Sequence, residues 1–413
     1  MVVGDLVGKR MALAASGGLD SCTITRWLVE EGVGVVALTA DLGQPDEANI
    51  NDIPERMRAA GAEDAVLVDA RDALARAGIE IIQTQAKYEG GYWNTTGIAR
   101  HVTVQALLPE VQRRGITVFG HGATGRGNDQ VRFQLVTNML APQVQVYAPW
   151  RDTEFLDLFP GRREMIVYCE REEIPIRATL DKPYSTDANL LGLTHEAGQL
   201  EELDTPAQFV RPEMGVFPHE APDDGERVAI RFEQGVPTAI DGRPVTPREA
   251  IERANAIGGR HGVGIGLHVV ENRFVGIKSR GVYEAPGMEL LGTCYAYLQQ
   301  LILDRRARAV FDQTSAQLAR QVYEGYWFDL ASSAMRRAVE TFTTLTTGTI
   351  VVDVYRGHVA YASAHDVPHS LYSDASSMEG VGDFDHRDSE GFLGVLGVSA
   401  RALSTQGHID SDE

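Results

Sequence analysis

From Met1 to Trp150, short apolar runs alternate with stretches whose apolar residues recur every three or four positions. That alternation predicts a parallel sheet covered by helices. The strand candidates are Met11 to Ala15, Val35 to Asp41, Ala65 to Ala70, Thr117 to Phe119 and Val144 to Tyr147. Between the first two, Ile24, Trp27, Leu28 and Glu31 fall at helical spacing, and Gly32 stands where a left-handed residue would end the helix. Helices are also predicted from Asp52 to Ala60, with Pro54 in the first turn, from about Thr96 to Arg113, and from Arg163 to Glu173 ahead of Pro175. The ligands of such a doubly wound domain belong beyond the carboxyl ends of its strands.

Past Pro175 the alternation ceases, and residues 200–227, rich in Pro, Asp and Glu, read as a connection over the surface. Val228, Ile230 and Phe232 then alternate as a strand. Thr246-Pro247-Arg248-Glu249 combines an N-cap, a first-turn proline and a capping-box glutamate, which predicts a helix to Gly258. Strand patterns return at His268 to Lys278 and at Thr349 to Ala362, and 287–343 is mostly helical. The fold class is therefore α/β: a doubly wound parallel-sheet domain over 1–172, a second α+β domain over 173–385, and a short tail over 386–413.

Composition narrows the function. The chain has 413 residues, 43% of them hydrophobic, with 38 Lys+Arg against 58 Asp+Glu and a net charge of −20. An acidic surface without a basic cluster disfavours nucleic acid as a partner. Cys22, Cys169 and Cys294 are far apart and form no CxxC pair, so neither a zinc knuckle nor a disulfide framework is legible, and a cytoplasmic setting is expected. No apolar run approaches the roughly 18 residues that cross a bilayer, so no membrane association is expected. The apolar residues after Lys9-Arg10 run straight into a glycine turn and read as a buried strand, not an export signal.

Four segments carry the candidate chemistry. The first is Ala14-Ala15-Ser16-Gly17-Gly18-Leu19-Asp20-Ser21, between a strand and a helix. Two glycines expose backbone N–H groups and the helix start adds its positive end, which together make a nest for phosphate. A tight turn with an Asp or Ser cap explains the same residues. The second, Gly120 to Phe133, contains a G-x-G-x-x-G match but lacks the acidic residue expected about 20 positions on, which weakens a dinucleotide reading. Its density of polar groups, with Arg126 and Arg132 as local cations, fits anion binding; a solvated loop is the plainer alternative. The third is Lys182-Pro183-Tyr184-Ser185-Thr186-Asp187 with Thr194-His195-Glu196; Gln199 stands where a zincin needs its second histidine. Pro368 likewise separates His365 from His369, and no metal-ligating side chain is assigned. The fourth runs from Val270-Glu271-Asn272-Arg273-Phe274-Val275 to Tyr283-Glu284 and reads as strands joined by tight turns. Surface salt bridging alone would account for many of its charges.

The first segment resembles the SGGxDS loop of ATP pyrophosphatases, which cleave ATP between its α and β phosphorus atoms. In order and spacing the four together resemble the argininosuccinate synthase family, from about residue 11 to 400. That resemblance implies a nucleotide-binding first domain, a synthetase second domain and an oligomerising tail. It implies ligation of citrulline to aspartate through a citrullyl adenylate, with ATP as co-substrate and Mg2+ bridging its phosphates, and a homotetramer. Ala14, Ala15, Ser16, Gly17, Gly18, Leu19, Asp20, Ser21 and Cys22 would cradle ATP, with Ala40 and Gly122 at the adenine and Thr124, Asp129 and Asp187 near the nucleotide. Thr124, Asn128 and Asp129 would hold aspartate. Tyr92, Thr96, Asn128, Arg132, Ser185, Thr194, Glu196, Glu271 and Tyr283 would hold citrulline. Ser16, Asp20, Asp129 and Arg132 would be the catalytic group. The chain departs from the family pattern at Ala15, Ser21-Cys22, Gly97, Arg126 and 264–268. A related ligase using another ureido and amine pair, and a non-catalytic nucleotide-binding scaffold, are the competing readings.

Overall fold

In the computed structural model the described residues are 1–125, 127–176, 184–272, 276–373 and 385–409, with Glu271 and Asn272 described by their backbone alone. They form two compact units, Met1–Pro368 and His369–Glu413. Arg126, Lys182, Pro183, Arg273, Phe274 and Val275, named above, lie outside the described residues.

The first unit begins with the expected parallel sheet: β1 (Arg10–Ala14), β2 (Gly34–Asp41), β3 (Asp64–Asp69), β4 (Val118–His121) and β5 (Gln145–Tyr147), in the order β3-β2-β1-β4-β5. All four pairings are parallel. Alternate residues of β1 and β2 enter two different cores: Ala12, Val36 and Leu38 one, Met11, Leu13, Val35 and Ala37 the other. A strand buried on both faces reads as a continuous apolar run, which is why these strands were visible in the sequence. The helices are α1 (Leu19–Glu30), α2 (Ile53–Ala59), α3 (Arg71–Thr84), α4 (Thr95–Arg113), α5 (Asp129–Leu140), α6 (Thr153–Leu158) and α7 (Arg162–Arg171). Gly32 closes α1 with φ +80°, as its position suggests. The strand order reverses between β1 and β4, so the loops that follow these two strands flank the crevice where doubly wound sheets bind ligands.

Two antiparallel sheets follow. Where the sequence showed no strand, the structure has a hairpin of β6 (Ser185–Asn189) and β7 (Gly192–Glu196). Its residues are too polar to announce a strand, and the pairing of β7 with a later strand supplies what propensity does not. Next come β8 (Glu226–Glu233), β9 (Val236–Ile240), β10 (Arg243–Pro244) and α8 (Pro247–Arg260). The capping box at Thr246 and Glu249 is present, and α8 continues two residues past the predicted end. The strand signals from His268 on, read as strands joined by tight turns, are a hairpin, β11 (Ile265–Asn272) and β12 (Ile277–Glu284). After α9 (Pro286–Ile302), α10 (Arg305–Glu324) and α11 (Leu330–Thr343), the strand expected over Thr349 to Ala362 is likewise two, β13 (Gly348–Tyr355) and β14 (His358–His365). Arg356 and Gly357, at φ +43° and +84°, make the turn that a continuous apolar pattern concealed. These strands assemble as β10-β9-β8-β13-β14 and β11-β12-β7-β6. Phe232, Leu298 and Ile350 share one continuous core with Leu38 and Val102. The second unit contains α12 (Asp388–Thr405), whose Phe392, Leu393, Val395 and Leu396 are exposed.

Candidate active site

The loop after β1 is held open by its surroundings. Ala15 donates its N–H to Leu38 O at 2.9 Å, and Thr39 Oγ1 donates to Ala15 O at 2.8 Å. Gly17 has φ +70°, and a Cβ there would stand 2.8 Å from Ile53 Cγ2, so both backbone conformation and space require glycine. Arg56, bridged to Glu47 at 2.8 Å, donates to Gly17 O at 3.0 Å and so occupies that carbonyl. Gly18 is the N-cap of α1 and no side chain caps it. Ser16 Oγ accepts the Gly18 N–H at 3.4 Å and the Asp20 carboxyl accepts its own backbone N–H, so the turn has local partners but no N-cap side chain, and a helix start without that cap attracts anions. Ser16 is exposed at this spot, while Ser21 turns inward to donate to Gly18 O at 3.1 Å. Leu19 is buried, and Cys22 is fully buried with its thiol pushed up to about 12 by burial, which makes it a packing residue. Burial also raises the half-buried Asp20 carboxyl, against its own backbone hydrogen bond and the pull of Arg162.

The loop after β4 lies against this one. A Cβ on Gly122 would stand 3.3 Å from Ile24 Cδ1 and 3.9 Å from Asp20 Cβ. His121 is buried, stacks on Phe133 with centroids 4.9 Å apart, and accepts Ala123 N–H through Nδ1 at 3.2 Å. Burial holds it neutral, with a pKa of about 3. Ala40 is buried one residue before the end of β2, its carbonyl accepting from Gln44 at 3.1 Å. Thr124 is exposed in the loop, its Oγ1 3.7 Å from where a Cβ on Gly127 would be.

The remaining predicted residues form a closed circuit of contacts. Arg132 Nη1 donates to Asp129 Oδ1 at 2.7 Å; Asp129 Oδ2 accepts from Arg100 Nε at 2.9 Å; Arg100 Nη2 donates to Asp187 Oδ2 at 2.5 Å. Asp187 in β6 is paired across the sheet with Thr194 in β7, and Thr194 with Tyr283 in β12, so the three share one sheet face. Tyr283 packs edge-on to Tyr92 at 5.0 Å, and Tyr92 edge-on to Tyr323 at 6.3 Å. Tyr323 closes the circuit through its carbonyl, which accepts from Arg132 Nε at 2.9 Å. Glu196 sits two positions beyond Thr194 on that face, opposite Ser185, both of them exposed. Thr96, part-exposed, donates its backbone N–H to Tyr92 OH at 2.9 Å. The backbone of Glu271 pairs with Lys278, which leaves its predicted side-chain role outside the described residues.

Charge in the circuit is tightly matched. Burial alone would raise the Asp129 carboxyl, but Arg100 and Arg132 outweigh it and hold it below its usual range. Glu196 differs. It is open to water at its tip yet surrounded by protein, and desolvation with Asp187 and Asp129 nearby raises its pKa to about 7 despite Arg100 and Arg132. Among the described residues, Asn128 Oδ1, Arg132 Nη2 and Thr194 Oγ1 are buried without a hydrogen-bond partner. Three such atoms in one circuit of contacts are an incomplete polar network, which a ligand can complete.

Two contributors escaped the sequence reading. Arg100 falls four residues after Thr96 on the part-exposed face of α4, a spacing that could have flagged it. Tyr323 lies 191 positions from Arg132 and carried no signal. Gly97, one of the departures, is buried on the other side of that helix turn.

Together the crevice and the circuit define a nucleotide-binding α/β protein with a second, polar cluster of side chains following the loop after β4. Comparison with known proteins makes the assignment particular. Residues 10–175 match the family described as the arginosuccinate synthase N-terminal HUP domain, and residues 184–403 the arginosuccinate synthase C-terminal domain. The argininosuccinate synthase of Rhodopirellula baltica is 43% identical over 396 residues, covering 95% of this chain and 97% of its own. That of Thermotoga sp. (strain RQ2) is 38% identical over 403 residues, covering 94% and 95%. That of Nitratidesulfovibrio vulgaris is 37% identical, covering 95% and 98%. The chain belongs to the argininosuccinate synthase family and is an ATP-using ligase of arginine biosynthesis.

Proposed function

We propose that the chain joins citrulline to aspartate, with the triphosphate of ATP on the loop from Ala14 to Cys22 and both amino acids at the polar cluster. The ureido oxygen attacks the α-phosphorus, the α–β anhydride bond breaks and pyrophosphate leaves. The aspartate amine then attacks the ureido carbon and AMP departs with the oxygen. Catalysis of this kind rests on in-line placement and on stabilising charge where it develops. The observation that carries the reading is the set of unpartnered buried atoms of Asn128, Arg132 and Thr194 inside a circuit closed by carboxylates, arginines and tyrosines.

Each group has a matching task. The uncapped amides of α1, Ser16 and Asp20 face the phosphates, and Ala40 with Gly122 lines the adenine. The unpartnered donor of Arg132 suits an α-carboxylate. Glu196 and the Asn128 oxygen suit ammonium and ureido N–H groups, and Thr124 and Asp129 face aspartate. Thr96, Ser185, Thr194, Tyr92, Tyr283 and Glu271 complete the citrulline side. Magnesium arriving with ATP keeps most of its shell as water and phosphate oxygen and needs one or two carboxylates. Asp20 at the loop and Asp187 in the circuit fit that demand, and the ion would add neutralisation of phosphate charge. The chain divides into a nucleotide-binding part over 1–172, a synthetase part over 173–385 and a tail over 386–413. The exposed Phe392, Leu393, Val395 and Leu396 of α12 support self-association, in this reading as a cytoplasmic homotetramer.

A coupled pyrophosphate assay with ATP, magnesium, citrulline and aspartate tests this. Pyrophosphate should appear only when both amino acids are present. Release of ADP or phosphate, or no dependence on the amino acids, would overturn it.

A further inference from the structure

We infer that Tyr323 is a positioning residue for amino-acid recognition: through its hydroxyl and its carbonyl it fixes which atoms of Asn128 and Arg132 are offered to a ligand. The inference rests on the amino-acid reading of the polar cluster but assigns a residue that reading does not contain. Tyr323 OH accepts from Asn128 Nδ2 at 2.9 Å, and Tyr323 O accepts from Arg132 Nε at 2.9 Å. The guanidinium also lies over the Tyr323 ring, 4.8 Å from its centroid. Asn128 stands at the N-cap position of α5 yet makes no capping hydrogen bond, so its amide is free of its own helix and is oriented by Tyr323. What remains is selective. With Nδ2 on Tyr323, the Asn128 oxygen is the amide atom left without a partner, an acceptor; with Nε on Tyr323 and Nη1 on Asp129, Nη2 is the guanidinium nitrogen left without one, a donor. An acceptor beside a donor is the complement of an amino acid's ammonium and carboxylate.

Tyr323 is itself held rigidly. Its ring stacks on Tyr88 with centroids 3.8 Å apart and planes 5° apart, and it is nearly fully buried. It precedes the end of α10, where Gly325 at φ +100° comes so close that a Cβ there would stand 3.3 Å from Arg132 Cα. The backbone acceptor thus reaches Arg132 whatever side chain occupies 323, and the hydroxyl can be tested alone.

Tyr323→Phe removes the hydroxyl and keeps the stack and the carbonyl. A neutral hydrogen bond of ordinary strength corresponds to a loss of about three- to tenfold. The expected result is a rise of that size in KM for citrulline, aspartate or both, with kcat, KM for ATP and thermal midpoint close to wild type. In an Asn128→Ala background the same change should cost nothing further, because the group it orients is gone. Unchanged amino-acid KM values in an active Tyr323→Phe enzyme, or equal losses with and without Asn128, would overturn the inference while leaving the ligase reading intact. A wild-type protein that releases no pyrophosphate with citrulline and aspartate would instead count against the ligase reading; the positioning role would then be read from whether Tyr323→Phe weakens amino-acid binding by calorimetry, unchanged affinity sinking it.

Discussion

Glu196→Gln is the perturbation that separates a recognising carboxylate from a bystander. The pKa of about 7 comes first from desolvation and then from Asp187 and Asp129. A group with that pKa is about one-tenth ionised at pH 6 and about nine-tenths at pH 8. If ionised Glu196 holds the citrulline ammonium, kcat/KM for citrulline rises about tenfold over that interval, with its inflection near 7, because this parameter reports the free enzyme. The glutamine variant should lose the inflection and fall about 10- to 100-fold below wild type at pH 8, the effect of a lost charge-assisted hydrogen bond of about 1.5–3 kcal/mol. Stability should move the other way. The folded pKa lies above its ordinary value of 4.5, so wild type is penalised as pH rises from 4.5 and fully so above 7. The variant should therefore gain stability relative to wild type at pH 8, and the two should converge below pH 4.5. Initial rates of pyrophosphate release at varied citrulline, with ATP and aspartate saturating, make the measurement. An inflection near 7 that survives in Glu196→Gln would refute the assignment.

Arg100→Ala leaves Asp129 and Asp187 without the cation between them. With the arginine side chain 20% exposed, a destabilisation of about 2–3 kcal/mol is expected, below the 3–5 typical of a fully buried pair, and activity should fall more than 100-fold. Because Asp129 titrates below its usual range in the folded state, its stabilising contribution is present above pH 4 and lost below it; the gap in urea denaturation should hold at pH 7 and narrow under about pH 4. Gly17→Ala forces a side chain into a left-handed residue 2.8 Å from Ile53, so a loss of at least about 1–3 kcal/mol and a raised KM for ATP are expected from denaturation and kinetics; a neutral result would mean that the loop is not held as described. Gly97→Ser places a hydroxyl where its Cβ is 3.4 Å from Asn94 Oδ1, a buried acceptor without a partner. It should stabilise by about 1 kcal/mol in urea denaturation, through the new hydrogen bond and the loss of a helical glycine, and a destabilised variant would contradict this.

Much of this site was legible because its parts are local. The loop at 14–22 needs two glycines between an apolar run and an amphipathic helix, and all of that sits within one stretch of chain. Asn128, Asp129 and Arg132 also share one helix start. The hairpin of β6 and β7 was not legible, since Ser185, Thr186, Asp187 and Asn189 form a strand only against the neighbours that the fold brings to them. Arg100 and Tyr323 were missed for the same reason: their chemistry comes from partners across the fold, Asp187 at 87 positions and Arg132 at 191. Glu196 was named from its segment, but its raised pKa depends on two aspartates from other elements.

The two parts of the site supply positive charge by different means, and the difference assigns the ligands. Arg100 and Arg132 are both committed to Asp129, and Arg100 also to Asp187. A triphosphate drawn onto them would have to strip partners from these carboxylates, which is costly where water is scarce. The start of α1 has no side-chain cap on Gly18, and its one first-turn carboxylate, Asp20, is held by burial toward its protonated form, so in the proposed reading phosphate meets less competition there. What the carboxylate and Tyr323 leave without a partner on Arg132 is its Nη2 group, which suits the carboxylate of an amino acid. Gly122 lies against α1 near Asp20 and stands six residues before Asn128, so the two proposed ligand regions adjoin. Exchanging their roles, with the phosphates on the arginines and the carboxylate on α1, would break two ion pairs and leave the helix start with the smaller charge. On the proposed reading this gives one orientation, in which pyrophosphate would depart along α1 while the ureido oxygen and the amine would approach from the side of Arg132.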